Sequence, residues 1–129
     1  MDLAFHHGAL SVPDLAAAIA WYGAAFGFAE EFRFTVPGGE AVMLKRDDLR
    51  LELFCLAGAA LLPAGRSEPR LDIATHGNKH LGFAVPNLSA ALAELAANGI
   101  EPVFTSSDGP QNIAFLRDCA GNLVELVEG

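Results

Sequence analysis

The chain is written twice on one template. Seventy-three residues separate His7 from His80, and the same interval separates Glu52 from Glu125. The surrounding segments match as well. HHGALSVPDLAAAIAWYGAAFGF (6–28) echoes KHLGFAVPNLSAALAELAANGI (79–100), with Val12/Val85, Pro13/Pro86, Leu15/Leu88 and Ala18/Ala91 all at that offset. LRLELF (49–54) echoes NLVELV (122–127). A chain of this kind is expected to fold as two copies of one supersecondary unit. Residues that recur in both copies then sit about a pseudo-two-fold axis. Two imidazoles and two carboxylates so placed suit a divalent transition metal.

Each half reads as strand, helix and further strands. Residues 7–12 form a short apolar strand, ended by Pro13, and Asp14 is a candidate N-cap. Leu15, Ala18, Ile19, Tyr22 and Phe26 fall on one helical face over 14–26, and Gly27 is a natural stop. An extended segment at 28–35 leads to a turn at Pro37-Gly38-Gly39. Strands 41–45 and 50–56 follow, joined as a hairpin around Asp47-Asp48. The second half has a strand at 80–85 and Asn87 as N-cap. Leu88, Ala91, Leu92 and Leu95 give the helical face over 87–98, with Gly99 as stop. Extended 101–104 precedes a Ser/Asp/Gly/Pro loop. Strands 113–116 and 123–127 then flank an Ala120-Gly121-Asn122 turn. Between the modules, 1–56 and 80–129, the segment 57–79 has no clear period and holds Pro63, Gly65, Pro69 and Gly77. It reads as a linker, longer than most loops, that serves as a lid or a partner-contacting arm.

Strand alternation decides where the repeated residues point. Leu51, Leu53, Val124 and Leu126 flank the two glutamates and should face the helices, so Glu52 and Glu125 face the other way. On the first strands Leu10 and Val12, and likewise Leu81, Phe83 and Val85, should pack on the helices. His7 and His80 then share the helix-free face with the small residues Ala9, Gly82 and Ala84. An isolated strand histidine is more often structural than a ligand. Four matched donors shift that balance, because carboxylates in apolar strands are costly unless paired, and a cation removes the cost. The plainer alternative is a solvated face on which both glutamates simply meet water. His6, next to His7, points to the opposite face by the same parity. His76 lies in the linker, as a solvated loop residue or a substrate contact. Arg50 shares the parity of Glu52 and is placed to hold an anionic group, or else is ordinary surface charge. Phe54 and Met43 are candidate apolar walls. Trp21, Phe26 and Phe28, at the helix end, read as core.

Composition bounds the rest. At 129 residues the chain fits one domain. Although 52% of its residues are apolar, no apolar run approaches the roughly 20 residues needed to span a bilayer. No basic stretch followed by an apolar core marks a signal peptide. The formal charge of −8 argues against nucleic acid and anionic membrane as partners. Cys55 and Cys119 lack CxxC spacing and read as reduced thiols, so a cytoplasmic location is expected.

These residues resemble the vicinal oxygen chelate superfamily, which includes glyoxalase I, methylmalonyl-CoA epimerase, extradiol dioxygenases and the fosfomycin- and bleomycin-resistance proteins. Residues 6–28 resemble that family's opening strand and helix. RDCAGNLVEL (117–126) resembles its closing D-x-x-G-N-x-(V/I)-E-L hairpin, with Cys119-Ala120 where Pro-(Asp/Glu) is usual. The resemblance implies an α+β fold of two βαβββ modules. Their sheets would join into an open cup, with helices outside and one metal within. The family's ligand positions fall on His7, Glu52, His80 and Glu125. The ion would be nickel, zinc, cobalt, manganese or iron. A homodimer is also expected, because single modules leave sheet edges unpaired.

Ligand count separates the family's chemistries. A ring-cleaving dioxygenase needs two histidines and one carboxylate on Fe(II). A second carboxylate, Glu52, fits instead the glyoxalase pattern, in which a proton is removed beside a carbonyl of a small substrate with vicinal oxygens. Glu52 or Glu125 would be the base. The alternatives are an acyl-CoA epimerase, an extradiol dioxygenase, or a drug-sequestering binding protein that performs no chemistry. Four ligand-type residues favour the enzyme.

Overall fold

Asp14 and Asn87 start the two long helices by the same device. The Asp14 carboxylate accepts from Ala17 N at 3.0 Å, and the Asn87 side-chain oxygen accepts from Ala90 N at 2.8 Å. Each thereby satisfies an amide that the first turn leaves unpaired. In the computed structural model, which describes residues 1–129, α1 runs Leu15–Phe26 and ends at Gly27 in the left-handed region (φ 71°). Strand β1 (Gly8–Ser11) precedes α1, and β2 (Ala29–Val36), β3 (Gly39–Arg46) and β4 (Leu49–Leu56) follow it. They form one four-stranded mixed sheet in the order β1-β4-β3-β2, with β1 and β4 parallel.

The second half repeats this plan with β5 (Leu81–Val85), α3 (Leu88–Ala97), β6 (Phe104–Ser106), β7 (Ile113–Arg117) and β8 (Leu123–Glu128). Its sheet order is β5-β8-β7-β6, with β5 and β8 parallel. Both modules are therefore βαβββ, as expected. The extended stretch at 101–104 differs, because pairing begins only at Phe104, where β6 meets β7. No helix is long and apolar enough to cross a membrane.

The chain divides into two compact units, residues 1–60 and 61–129. In the first, Leu51 and Leu53 are buried to 1% and 0% exposure, beside buried Val12, Leu15, Ala18 and Tyr22. Glu52, between those leucines, keeps 15% side-chain exposure on the other face. The second unit buries Val124, Leu126, Leu88 and Leu95 in the same pattern. Neither Cys55 nor Cys119 forms a disulfide.

Most of the aperiodic stretch between the modules is built into the second unit. It contains a 3-10 turn, Ala64–Ser67, and a short helix α2, Pro69–Asp72. Polar contacts hold it where no hydrophobic period announces it. Ser67 donates to Gly121 O at 2.8 Å, and Arg117 donates to Ser67 O at 2.7 Å while pairing with Glu68. Asp72, 1% exposed, is clasped by Arg66 and by Lys79 at 3.4 Å. The closing hairpin is fixed by Asp118, whose Oδ1 accepts from the amides of Ala120 (2.8 Å) and Asn122 (2.9 Å). Gly121 takes φ 87° there. This is the physical content of the D-x-x-G-N turn: an acceptor for two amides and a glycine at a left-handed position.

Candidate metal centre

In the first unit, parallel pairing sets Ala9 opposite Glu52. His7 immediately precedes β1 and reaches the Glu52 face. Its Nε2 lies 3.7 Å from Glu52 Oε1. Its Nδ1 lies 2.7 Å from Nδ1 of His6, with the two rings edge to face. The parity argument sent His6 to the opposite face. Both histidines precede the start of β1, where strand alternation no longer governs, and the ring of His6 folds back onto His7. The contact through Nδ1 orients the His7 ring and leaves its Nε2 toward Glu52.

In the second unit, Gly82 is opposite Glu125, and His80 stands two residues before it. His80 Nε2 lies 3.0 Å from Glu125 Oε2. Phe115 pairs with Glu125 across β7 and β8 and meets the His80 ring edge-on at 4.9 Å. Lys79, immediately before His80, donates to Asp72 O at 2.8 Å and to Thr75 O. Lys79 and His6 occupy equivalent places in the repeat. In each unit the residue before the candidate ligand histidine is engaged in fixing the chain there.

The remaining candidates separate. Arg50 lies on the Glu52 face, but its guanidinium is engaged by Glu31 at 2.9 and 3.2 Å. Glu31 sits at the irregularity in β2 between Glu30 and Phe32, which lets it reach across. That hydrogen-bonded pairing holds the Glu31 carboxyl below the usual carboxylate range. Phe54 is half-buried on the Glu52 face, and Met43 is directly opposite Glu52 and buried. His76 is exposed in the loop before His80. Pattern reasoning placed His6 on the opposite face and missed Phe115 and the Asp72 cluster. The signal available was a polar residue directly before each repeated histidine.

The His80–Glu125 pair is spaced as two ligands of one cation would be. Donors about 2.1 Å from an ion, at tetrahedral or octahedral angles, lie roughly 3.0–3.4 Å apart. The second pair has that spacing and the first is slightly wider. Imidazole with carboxylate suits a divalent transition metal. Neither unit alone brings three such donors together.

Each βαβββ unit carries one His–Glu contact beside its parallel strand pair. Residues 4–126 match the model of the glyoxalase/bleomycin resistance protein/dioxygenase superfamily, and the chain belongs to that family. Solved structures share the fold. A glyoxalase family protein from Enterococcus faecalis aligns with TM-score 0.80 and 24% identity, over 97% of each chain. The trypanothione-dependent glyoxalase I of Leishmania major aligns at 0.74 and 19%, over 98% of this chain and 87% of that one. The fosfomycin resistance protein FosX of Listeria monocytogenes aligns at 0.71 and 16%, over 100% and 95%. No curated protein matches the chain.

Proposed function

We propose that His7, Glu52, His80 and Glu125 hold one divalent ion, from one chain or across a homodimer, and that the protein is a lyase or isomerase of the glyoxalase I type. The observation that carries this reading is the recurrence of one His–Glu pair, in the same strand register, in both units. Bound there, the ion supplies Lewis acidity to a small substrate with vicinal oxygens.

The chain's own residues do the rest. His7 and His80 serve through Nε2 as neutral imidazoles, His7 oriented by His6. Glu125 and His80 already have the spacing of two ligands of one ion, 3.0 Å, while Glu52 stands 3.7 Å from His7, outside that spacing. Glu52 is therefore the more available base. It takes a proton from the carbon beside the substrate carbonyl and returns it to the neighbouring carbon. Met43 and Phe54, beside Glu52, limit water around that proton.

The test is anaerobic. Purified protein is loaded with metal and offered methylglyoxal–thiol adducts, acyl-CoA thioesters and catechols in deuterated water. Deuterium entering a substrate carbon without O₂ is the expected result. Turnover that needs Fe(II) and consumes O₂ contradicts it in favour of ring cleavage. Metal-dependent binding with no turnover contradicts it in favour of sequestration.

A further inference from the structure

Arg70 is the only arginine of this chain without a carboxylate partner. Arg33, Arg46, Arg50, Arg66 and Arg117 each pair with an acidic side chain. The contrast is sharp in a chain with 16 acidic residues and 8 lysines and arginines. Arg70 instead rests its guanidinium over the ring of Phe104, 5.2 Å from the centroid. Stacking engages the face of a guanidinium and leaves its fork of N–H donors free.

The place of that ring gives the arginine a use. Phe104 pairs with Phe115 across β6 and β7, and Phe115 pairs with Glu125 across β7 and β8. All three side chains share one sheet face. The contacts are continuous: Phe104 to Phe115 at 6.3 Å between centroids, Phe115 to His80 at 4.9 Å, and His80 to Glu125 at 3.0 Å. A free cation thus stands two aromatic rings from the His80–Glu125 pair, within one unit. Contacts of the 57–79 segment at Ser67, Glu68 and Asp72 fix the backbone on both sides of it.

We infer that Arg70 is a specificity-determining residue and that the ligand of this site is a carboxylate: vicinal oxygens at His80–Glu125, a flat or apolar body along Phe115 and Phe104, and a carboxylate held by Arg70. This rests on the metal reading proposed above. One guanidinium matches a monoanion, and its planar fork matches the two oxygens of a carboxylate. Arg66, the nearest other cation in sequence, pairs with Asp72, and Lys79 is committed to Asp72 and Thr75. A second negative charge would find no partner in a chain of net charge −8.

The probes are 3-(3,4-dihydroxyphenyl)propionate and its methyl ester, titrated calorimetrically into metal-loaded protein. The acid is expected to bind about tenfold to a hundredfold more tightly than the ester, the range of one charge-assisted contact. Arg70→Ala should bring the acid to the ester's affinity and leave the ester unchanged. Arg70→Glu should place the acid below the ester. Equal affinities in the unaltered protein overturn the inference while leaving the metal reading standing. So does an Arg70→Ala variant that weakens both probes alike, since that is the mark of a merely structural stack. If metal-loaded protein binds neither probe, the inference is overturned and the metal reading stands; if the protein takes up no metal, the metal reading falls and the inference with it.

Discussion

His80 Nε2 lies 3.0 Å from Glu125 Oε2, whereas the equivalent atoms of His7 and Glu52 are 3.7 Å apart. The repeat therefore makes two similar pairs with different freedoms. The tighter pair, backed by Phe115 and the Asp72 cluster, suits a holding role. The looser one suits proton transfer.

That asymmetry predicts different outcomes for two equivalent substitutions. Glu52→Gln should lower kcat by about 10²- to 10⁴-fold, the usual contribution of a general base, and retain more metal than Glu125→Gln. The check is kcat and metal content on the same preparations. A Glu52→Gln enzyme with near-normal kcat contradicts the assignment.

His6 should matter through His7. Removing an outer partner of a ligand histidine typically costs about 10- to 100-fold in metal affinity. His6→Ala is expected in that range by chelator competition, and His6→Asn, which restores a polar partner, should recover part of the loss. Unchanged affinity in His6→Ala would mean that the 2.7 Å contact plays no part in holding the metal.

Glu128 links the end of β8 to the start of α3. Its carboxylate accepts from Leu88 N and from Asn112 Nδ2, both at 2.8 Å. The Leu88 amide first, and the Asn112 side chain second, hold its carboxyl below the ordinary value. Because the folded pKa lies below the unfolded one, the stabilisation is present above the unfolded carboxylate pKa and is lost as pH falls through the folded pKa. Chemical denaturation between about pH 3 and 6 should therefore show a shallower acid-side decline for Glu128→Gln than for the unaltered chain. Parallel declines would contradict the linkage.

Gly121 tests how closely the 57–79 segment is held against the closing hairpin. A Cβ there would lie 2.6 Å from Ser67 Oγ, on a backbone at φ 87°. Gly58, at φ 72°, has open space around it. Both alanine substitutions carry a left-handed penalty of about 1–2 kcal/mol, but Gly121→Ala should cost more. Adding Ser67→Ala should recover only the steric part. Equal thermal shifts for the two glycines would contradict the close approach.

Much of the fold is legible in the sequence because it is set by local chemistry. Asp14, Asn87, Gly27 and Gly99 mark helix ends through capping and left-handed backbone, and these work within a few residues. The alternation around Glu52 and Glu125 fixes their face because strands have a period of two. The segment 57–79 is not legible in this way. Its order comes from Asp72, Arg66, Lys79, Ser67 and Arg117, polar contacts between residues up to fifty apart that leave no period. His6 is misplaced by parity because it lies outside the strand. Arg50 is legible as a residue of the site face, but its neutralisation by Glu31 depends on the β2 irregularity, which no pattern announces.

The central claim is that two His–Glu pairs, one in each unit, serve a single ion. Elemental analysis of purified protein, with His7→Ala and His80→Ala alongside, tests it most directly. The account predicts one divalent ion per chain, lost when either histidine is replaced, because each pair supplies only half of the donors. Two ions per chain, or a His7→Ala variant that keeps its ion at undiminished affinity, contradicts it.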